Sequence, residues 1–263
     1  MIMGPSPSTD IASRESSPMR SLERALHLLN VMETAGRPLN ATELGRAVQL
    51  SPPTVLRILS VLDKYGFATK SQGHYRLGLA LLPLAHSFLL GDELTRAALP
   101  VLQELAQATE ETASLFVRLG FQRVVVQRVE GKHPLRYILP IGQRLPLHLG
   151  MGKVLAAAMP KEELLQMMDL LGKMQLATGT RVSGKVLLAE LEKIRRQGYA
   201  VSRNERAVGT SSVGAPVCDA QGRTIAAVAV VGTSDRMTSK RIERLSIEVR
   251  GAAKAVAERY GGA

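Results

Sequence analysis

The sequence lacks the features that mark secreted and membrane-spanning proteins. It contains a single cysteine, Cys218, so an internal disulfide is impossible. No charged-then-apolar leader opens the chain, and no apolar run reaches the roughly 18 residues that a membrane helix needs. The nearest candidate, residues 79–90, is short and holds Pro83 and His86. We therefore predict a cytoplasmic protein without a membrane partner.

Signatures of catalysis and of metal binding are also missing. The five histidines are scattered, with no pair four residues apart, and there is no Cys-x-x-Cys pair, so we predict no metal site. Neither a Walker phosphate-binding loop nor a GxGxxG turn is present. Cys218 has no histidine close to it in sequence, which favours an inert buried thiol over a nucleophile. We predict no catalytic residue and no cofactor.

Basic residues are in excess over the whole chain. The formal net charge is +11 and the isoelectric point is near 10.1, which indicates a polyanionic partner. The excess is spread out, because residues 1–90 carry 9 Lys and Arg against 6 Asp and Glu, and residues 91–263 carry 25 against 17. Charge therefore permits DNA binding without locating it. The length fits two domains, and 45% apolar residues can form their cores.

The N-terminal third of the chain has helical patterns separated by short connections. Residues 1–18 are rich in serine and proline and have no apolar period, so we predict a disordered tail. Apolar residues at helical spacing predict a first helix over residues 21–35. Asn40 and Glu43 have the spacing of a capping box, which predicts a second helix over residues 41–48.

A helix-turn-helix follows from the next segment. We predict that the side chain of Ser51 caps a third helix and that Pro52 lies in its first turn, where a missing N–H does no harm. Two helices so closely spaced are typical of a helix-turn-helix. Short strands over 67–70 and 75–77, around a loop that contains glycine, predict a wing. Residues 19–78 are thus predicted to form a winged helix-turn-helix domain that binds double-stranded operator DNA.

Exposed residues at the start of a recognition helix contact base edges and phosphates. We predict this role for Ser51, Pro53, Thr54, Arg57 and Ser60. Arg57 is the candidate for bidentate contact with guanine, and a solvated helix charge is the alternative. In the wing, contact with phosphate or the minor groove is predicted for a second set, with ordinary hairpin polarity as the alternative. This set is Gln72, His74 and Arg76.

The rest of the chain alternates between helical and strand periods. Residues 79–95 are predicted to form a linker helix, and residues 96–263 a second domain. The predicted strands are 112–119, 122–129, 135–139, 213–217 and 224–231. The predicted helices are 79–90, 93–109, 152–158, 160–171, 183–197 and 239–260. An antiparallel sheet with helices on its faces belongs to the α+β class.

Three stretches of the chain occur in a recognisable order. The first is SPPTVLRIL at 51–59, followed by YRLG at 75–78. The second, 142–153, contains a glycine, PLH and GK, and the third, 198–222, begins with GYA. Together they make the sequence resemble the isocitrate lyase regulator (IclR) family of bacterial transcription factors over residues 21–261. The resemblance implies a GAF-like effector domain, homodimers or homotetramers, and control of a catabolic operon by a small organic acid.

The resemblance also implies where the effector lies. A helix begins near Gly150, Met151 and Gly152, and its free backbone amides suit a carboxylate; a tight turn that serves packing is the alternative. Lys153 either adds charge there or extends outward. The effector-binding residues implied are Leu145, Leu147, His148, Gly150, Met151, Gly152, Glu205, Pro216, Cys218, Ala229 and Val231.

Two of these residues depart from the family's pattern. Members that bind very small acids often carry serine where this sequence has Ala229 and Val231, so we expect few hydroxyls and a more apolar pocket. That expectation favours an aromatic carboxylate. The predicted function is a sequence-specific transcriptional regulator, either repressor or activator, under effector control. The alternatives are a GAF-type enzyme and a DNA-binding protein without ligand control.

Overall fold

The computed structural model describes residues 19–134, 139–171 and 174–261. The chain divides into two compact units between Gly91 and Asp92. The predicted tail, 1–18, lies outside the described residues, as does most of the predicted strand 135–139. Within the described ranges, no helix is both long and apolar enough to cross a bilayer.

The first unit is built from helices and a small antiparallel sheet. Its described elements are α1 (Arg20–Ala35), β1 (Leu39–Asn40), α2 (Ala41–Val48), α3 (Pro52–Lys64), β2 (Ala68–Ser71), β3 (His74–Leu77) and α4 (Leu81–Gly91). The strands lie in the order β1-β3-β2. Leu28, Leu44, Val55 and Leu59 from α1, α2 and α3 form a core with Tyr75 of β3. This is the predicted winged helix-turn-helix.

The two predicted helix caps have different outcomes. The capping box is confirmed, because the Asn40 side chain accepts from the Thr42 and Glu43 amides while the Glu43 carboxylate accepts from the Asn40 amide. The predicted side-chain cap at Ser51 is wrong. Ser51 is the N-cap residue, but its hydroxyl lies 3.0 Å from the Thr54 hydroxyl and bonds no helix amide. Prolines fill the first two helix positions, so one of the usual donors to a cap does not exist.

The wing turn contains two residues with positive φ. Gln72 has a φ of 47° and Gly73 a φ of 76°, and they alone separate β2 from β3. Two left-handed residues between antiparallel strands give a turn whose twist matches that of the strands. The sequence predicted a glycine in this turn. It did not predict the strained, positive φ of Gln72, which follows from the pairing of Ser71 with His74 across a two-residue turn.

The second unit contains a larger sheet with helices before, within and after it. Its described elements are α5 (Glu93–Thr109), β4 (Thr112–Leu119), β5 (Gln122–Val129), β6 (Arg144–Pro146), α6 (Gly152–Ala156), α7 (Lys161–Leu171), β7 (Met174–Gln175), β8 (Arg181–Val182), α8 (Gly184–Gln197), β9 (Ala200–Arg203), β10 (Thr210–Cys218), β11 (Thr224–Thr233) and α9 (Ser239–Gly261). Six strands pair antiparallel in the order β6-β5-β4-β11-β10-β9. The α+β prediction is confirmed.

The large sheet is buried on both faces. Leu115, Val228 and other residues of alternate parity pack on one face against Leu102 of α5 and Val249 of α9. The opposite parity packs on the other face, where Ala227 contributes to a core with Leu155 of α6 and Leu191 of α8. Alternation along each strand therefore produces two separate cores.

Several short elements were not predicted. The strands β1, β6 and β9 have two to four residues, and the hairpin β7–β8 has two residues on each strand. Segments this short show too little alternation to be distinguished from loops. The predicted helix 152–158 is also too long, because α6 ends at Ala156.

A buried carboxylate joins the start of the sheet to its end. Glu111 is fully buried just before β4, and both its oxygens accept from Arg236, at 2.9 and 2.8 Å. Arg241 of α9 also donates to Glu111, at 3.3 Å, and to the Thr109 carbonyl. Gly232 leaves space for this group, since a Cβ there would lie 2.5 Å from the Glu111 carboxylate.

We predict that Gly232→Ala destabilises the second unit by about 1–3 kcal/mol, because the added methyl displaces the buried carboxylate from Arg236. Urea unfolding followed by circular dichroism measures the loss. Gly251→Ala is the matched control, since a Cβ there meets nothing within 4 Å. In mid-helix it should be neutral or stabilising by up to about 1 kcal/mol. Equal effects of the two variants would contradict the role of Glu111.

Candidate functional site

The residues predicted to contact DNA lie on α3 and on the wing. Most are exposed, and they point away from the core residues Val55 and Leu59; Thr54 is half-buried. The exposed members are Ser51, Pro53, Arg57, Ser60, Gln72, His74 and Arg76. The structure therefore presents both predicted sets on the surface of the first unit.

Local hydrogen bonds order part of this surface. The Ser60 hydroxyl donates to the Arg57 carbonyl at 3.2 Å, and the His74 Nδ1 lies 3.0 Å from the Gln72 carbonyl. Sequence reasoning missed Lys70, which is exposed on β2 with its ammonium 5.8 Å from the Tyr75 ring. The sequence could have included Lys70 among the candidate wing residues, because an exposed cation there is placed to contact phosphate.

A second candidate site is a cavity of about 40 Å³ in the second unit. It lies on the sheet face that packs against α6. The lining residues are Ser114, Phe116, Arg123, Leu139, Gly150, Met151, Ser202, Arg206, Thr210, Ser212, Ala229 and Val231. A larger groove of about 730 Å³ lies between α1 and α2 in the first unit, but it is open to solvent and contains none of the predicted effector residues.

Small residues in register create the space for the cavity. Ala200, Gly214, Ala229 and Ser114 face one another across four neighbouring strands. The side chain of Met151 lies over this row, since a Cβ on Gly214 would be 2.7 Å from its sulfur. A large residue in the row would fill the cavity, so the small residues of these strands determine where space remains above the sheet.

Arg123 is the most unusual group in the cavity wall. It is 3% exposed, and its guanidinium lies 5.0 Å from the centre of the Phe116 ring. Nη1 donates to the Leu149 carbonyl at 2.7 Å, whereas the buried Nε has no hydrogen-bond partner among the described residues. Burial and then the charge of Arg206 lower its pKa to about 9, against the opposing charge of Glu205. The group remains a cation at neutral pH.

Gly150 allows Arg123 to approach the backbone. Its φ is +57°, and a Cβ there would lie 3.3 Å from Nη2 of Arg123. Its amide donates to Oε2 of Glu205 at 2.8 Å. Arg206, half-buried, lines the same cavity, and burial lowers its pKa. The cavity wall therefore combines two guanidinium groups with four hydroxyls.

The structure brings together only some of the predicted effector residues. Gly150, Met151, Ala229 and Val231 line the cavity, and the others surround it or lie farther along the sheet. Leu145, Leu147 and Gly152 are buried, as is Glu205, while Pro216 and Cys218 are half-buried towards the other end of β10. His148 is half-buried, and burial lowers its pKa.

Two expectations about this site need correction. The Gly150 amide is bonded to Glu205 and the Gly152 amide to the Leu149 carbonyl, so these amides do not converge on a ligand. The cavity also holds four hydroxyls, from Ser114, Ser202, Thr210 and Ser212, where few were expected. Sequence reasoning missed Arg123 and Arg206 because only strand parity and the long loop after β9 place them at the cavity.

Lys153, whose role the sequence left open, extends inward. Its side chain is 2% exposed, and its ammonium pairs with Glu205 at 2.5 Å and with Glu190 of α8.

Among the described residues, no group of three or more His, Cys, Asp or Glu is arranged to hold a metal ion.

Comparisons with known proteins give matches over both units. The family model for the IclR helix-turn-helix domain matches residues 21–72, and the model for the bacterial transcriptional regulator IclR C-terminal domain matches residues 86–258. The HTH-type transcriptional repressor AllR of Escherichia coli K12 is 28% identical over 245 residues, which cover 92% of this chain and 90% of AllR.

Solved structures show the same fold. The Thermotoga maritima IclR structure is 26% identical, with a TM-score of 0.64 over 92% of this chain and 99% of that one. An IclR homolog from Microbacterium hydrocarbonoxydans, solved in complex with 4-hydroxybenzoate, is 21% identical, with a TM-score of 0.73 over 92% of this chain and all of that one. The similarity therefore extends through both units.

We predict that Arg123→Met leaves the ligand-free protein as stable as the wild type, or more stable by about 1 kcal/mol or more. A desolvated guanidinium with a single hydrogen bond contributes little to folding, and methionine fills similar space. Urea unfolding provides the measurement. Arg118→Met on the paired strand is the control, since it removes a partly exposed ion pair with Glu163 that stabilises by about 0–1 kcal/mol. A loss above about 2 kcal/mol in Arg123→Met would show that Arg123 has a structural role.

Proposed function

The chain belongs to the IclR family of bacterial transcriptional regulators, and we propose that it controls a catabolic operon in response to a small carboxylate. It is a DNA-binding regulator rather than an enzyme, as its family and its repressor relatives show. The observation that carries the effector proposal is the buried guanidinium of Arg123 at the wall of a cavity.

Arg123 supports an anionic head group. A buried cation is unfavourable without a compensating partner, and the only hydrogen bond that Arg123 makes among the described residues is to a neutral carbonyl. A carboxylate in the cavity would supply charge-assisted hydrogen bonds, which are about twice as strong as neutral ones. Arg206 lines the same cavity and adds positive potential.

The lining residues also indicate what the rest of the acid, beyond its carboxylate, is like. Four hydroxyls near two guanidinium groups suit a compact acid with a second oxygen function, such as a hydroxy or oxo acid. An aromatic acid is the second candidate. Phe116, Leu139, Ala229 and Val231 give an apolar wall, and a structural neighbour was solved with 4-hydroxybenzoate.

For the DNA-binding domain, we propose that α3 enters the major groove and that the wing contacts the backbone. Ser51, Pro53, Thr54, Arg57 and Ser60 would face the bases and their phosphates. Gln72, His74 and Arg76 would contact phosphate or the minor groove from the wing. The exposure of seven of these eight residues supports the assignment.

The proposed organisation assigns 19–78 to DNA binding, 79–95 to a linker and 96–263 to effector sensing. We infer a cytoplasmic homodimer or homotetramer, which is supported by α4, a helix with exposed Leu82 and Phe88 and no buried residue. Effector binding would shift the balance between two arrangements of the DNA-binding domains. A difference of about 1–3 kcal/mol is enough for 5- to 150-fold regulation.

We predict that Arg57→Ala reduces affinity for the operator by about 1–3 kcal/mol and relaxes preference at one base position, because a bidentate contact with guanine is lost. Binding to a randomised operator library, followed by sequencing, measures both effects. Lys70→Ala should instead weaken binding to all sequences alike. A uniform loss in Arg57→Ala would identify Arg57 as a phosphate contact.

We predict that one class of carboxylate raises the melting temperature of the full-length protein and that Arg123→Gln reduces its affinity at least tenfold, since the charged hydrogen bonds to its head group are lost. The panel contains acetate, lactate, malonate, benzoate and 4-hydroxybenzoate, each with its neutral amide as control. Arg118→Gln should bind as the wild type does. Stabilisation by an amide as strong as by its acid would contradict the anion site.

A further inference from the structure

Lys153 lies beside the cavity without lining it. Its ammonium is held between two carboxylates, Glu205 on the loop after β9 and Glu190 on α8. Such a cation is unfavourable in a protein interior unless it is paired with good geometry. Here both partners are present, so the lysine is the buried centre of a three-residue ion cluster, in which the Glu190 side chain is partly exposed.

Glu205 connects this cluster to the cavity. One oxygen accepts from Lys153, and the other accepts from the amide of Gly150, which lines the cavity. The next residue along the loop is Arg206, a second lining residue. Gly150 also lies against Arg123, since a Cβ there would be 3.3 Å from Nη2, so one glycine separates the Glu205 carboxylate from the buried cation of the cavity wall. Glu205 is therefore a carboxylate of the protein close to the site proposed for a ligand carboxylate.

The two carboxylates would compete for the same guanidinium. A buried carboxylate pairs with the strongest available donor, and Lys153, which does not line the cavity, provides one. If that charge were removed, Arg123 would be a nearby cation able to pair with Glu205. An internal ion pair of this kind would block the head-group site.

We propose that Lys153 is a positioning residue that keeps Glu205 off Arg123, and so leaves Arg123 available for the carboxylate of the effector. The inference rests on the proposed carboxylate site. Lys153 also links the loop after β9 to α8, because Glu205 and Glu190 accept hydrogen bonds from the same ammonium. A bound anion would repel Glu205 towards Lys153, so effector binding and the ion cluster would strengthen each other.

The test replaces the lysine in the full-length protein. Lys153→Met and Lys153→Gln remove its charge, and circular dichroism selects the folded variant. Isothermal titration with acetate and with 4-hydroxybenzoate gives the affinities. We expect at least a tenfold loss for the neutral variant, and recovery to within threefold of the wild type when Glu205→Gln is added, because the competing charge is gone. Lys193→Met, an exposed lysine of α8, is the matched control and should bind as the wild type does.

A purely structural lysine would behave differently. It would lower the melting temperature without changing the affinity of the folded protein, and that result would overturn the proposal. A loss of affinity that Glu205→Gln does not restore would also overturn it, since competition by Glu205 would not be the cause.

A ligand-free measurement separates this inference from the proposed function. If the wild type binds none of the five acids of the melting-temperature panel, the carboxylate proposal fails, and hydrogen exchange at the Gly150 amide still decides the position of Glu205. We expect at least tenfold faster exchange in the neutral variant, because Glu205 leaves that amide. Unchanged exchange would show that Lys153 does not position Glu205.

Discussion

The second unit depends on one constraint, namely that its central strands are buried on both faces. Side chains of one parity in β4, β10 and β11 fill the core under α5 and α9, and there the packing consists of residues such as Leu115, Val228 and Val230. The other parity includes Ser114, Ser212, Gly214 and Ala229, which are too small or too polar to fill the space beneath α6. The cavity is the result, and the register of the strands determines which residues form its wall.

Buried charge is used in two different ways around this sheet. Glu111 is matched by a bidentate bond from Arg236 and a further bond from Arg241, so its burial ties the first strand of the sheet to the last helix. Arg123 is also buried, but its one bond among the described residues is to the Leu149 carbonyl. The Glu111 cluster is fully paired, whereas Arg123 is an incompletely compensated cation at a cavity wall, and this difference supports the binding role that we propose for Arg123. Glu111 and Arg123 are both buried, so the difference in their hydrogen bonding, and not their exposure, distinguishes the candidate site.

The sequence predicted long helices with a regular apolar spacing and helix ends that are marked by capping residues. The capping box at Asn40 and Glu43 was readable because both partners lie within one turn, and α5, α8 and α9 were readable from their apolar spacing. The cavity was harder, because its members come from five strands and three loops that only the tertiary register brings together. Ala229 and Val231 were placed at the pocket by family resemblance. Arg123 has no local signal, since an arginine next to a glutamine at the start of a strand is ordinarily a surface residue.

We propose that an acid bound beside Arg123 alters binding of DNA by a separate unit of the chain. The most direct test is a titration of the operator with full-length protein, followed by fluorescence anisotropy, with and without a saturating acid chosen by thermal stabilisation. We expect the acid to change operator affinity about 5- to 150-fold, equivalent to about 1–3 kcal/mol. The change should disappear in Arg123→Gln, while operator binding without the acid is retained. An equal shift in wild type and Arg123→Gln would contradict the proposal, because the acid would then act at another site.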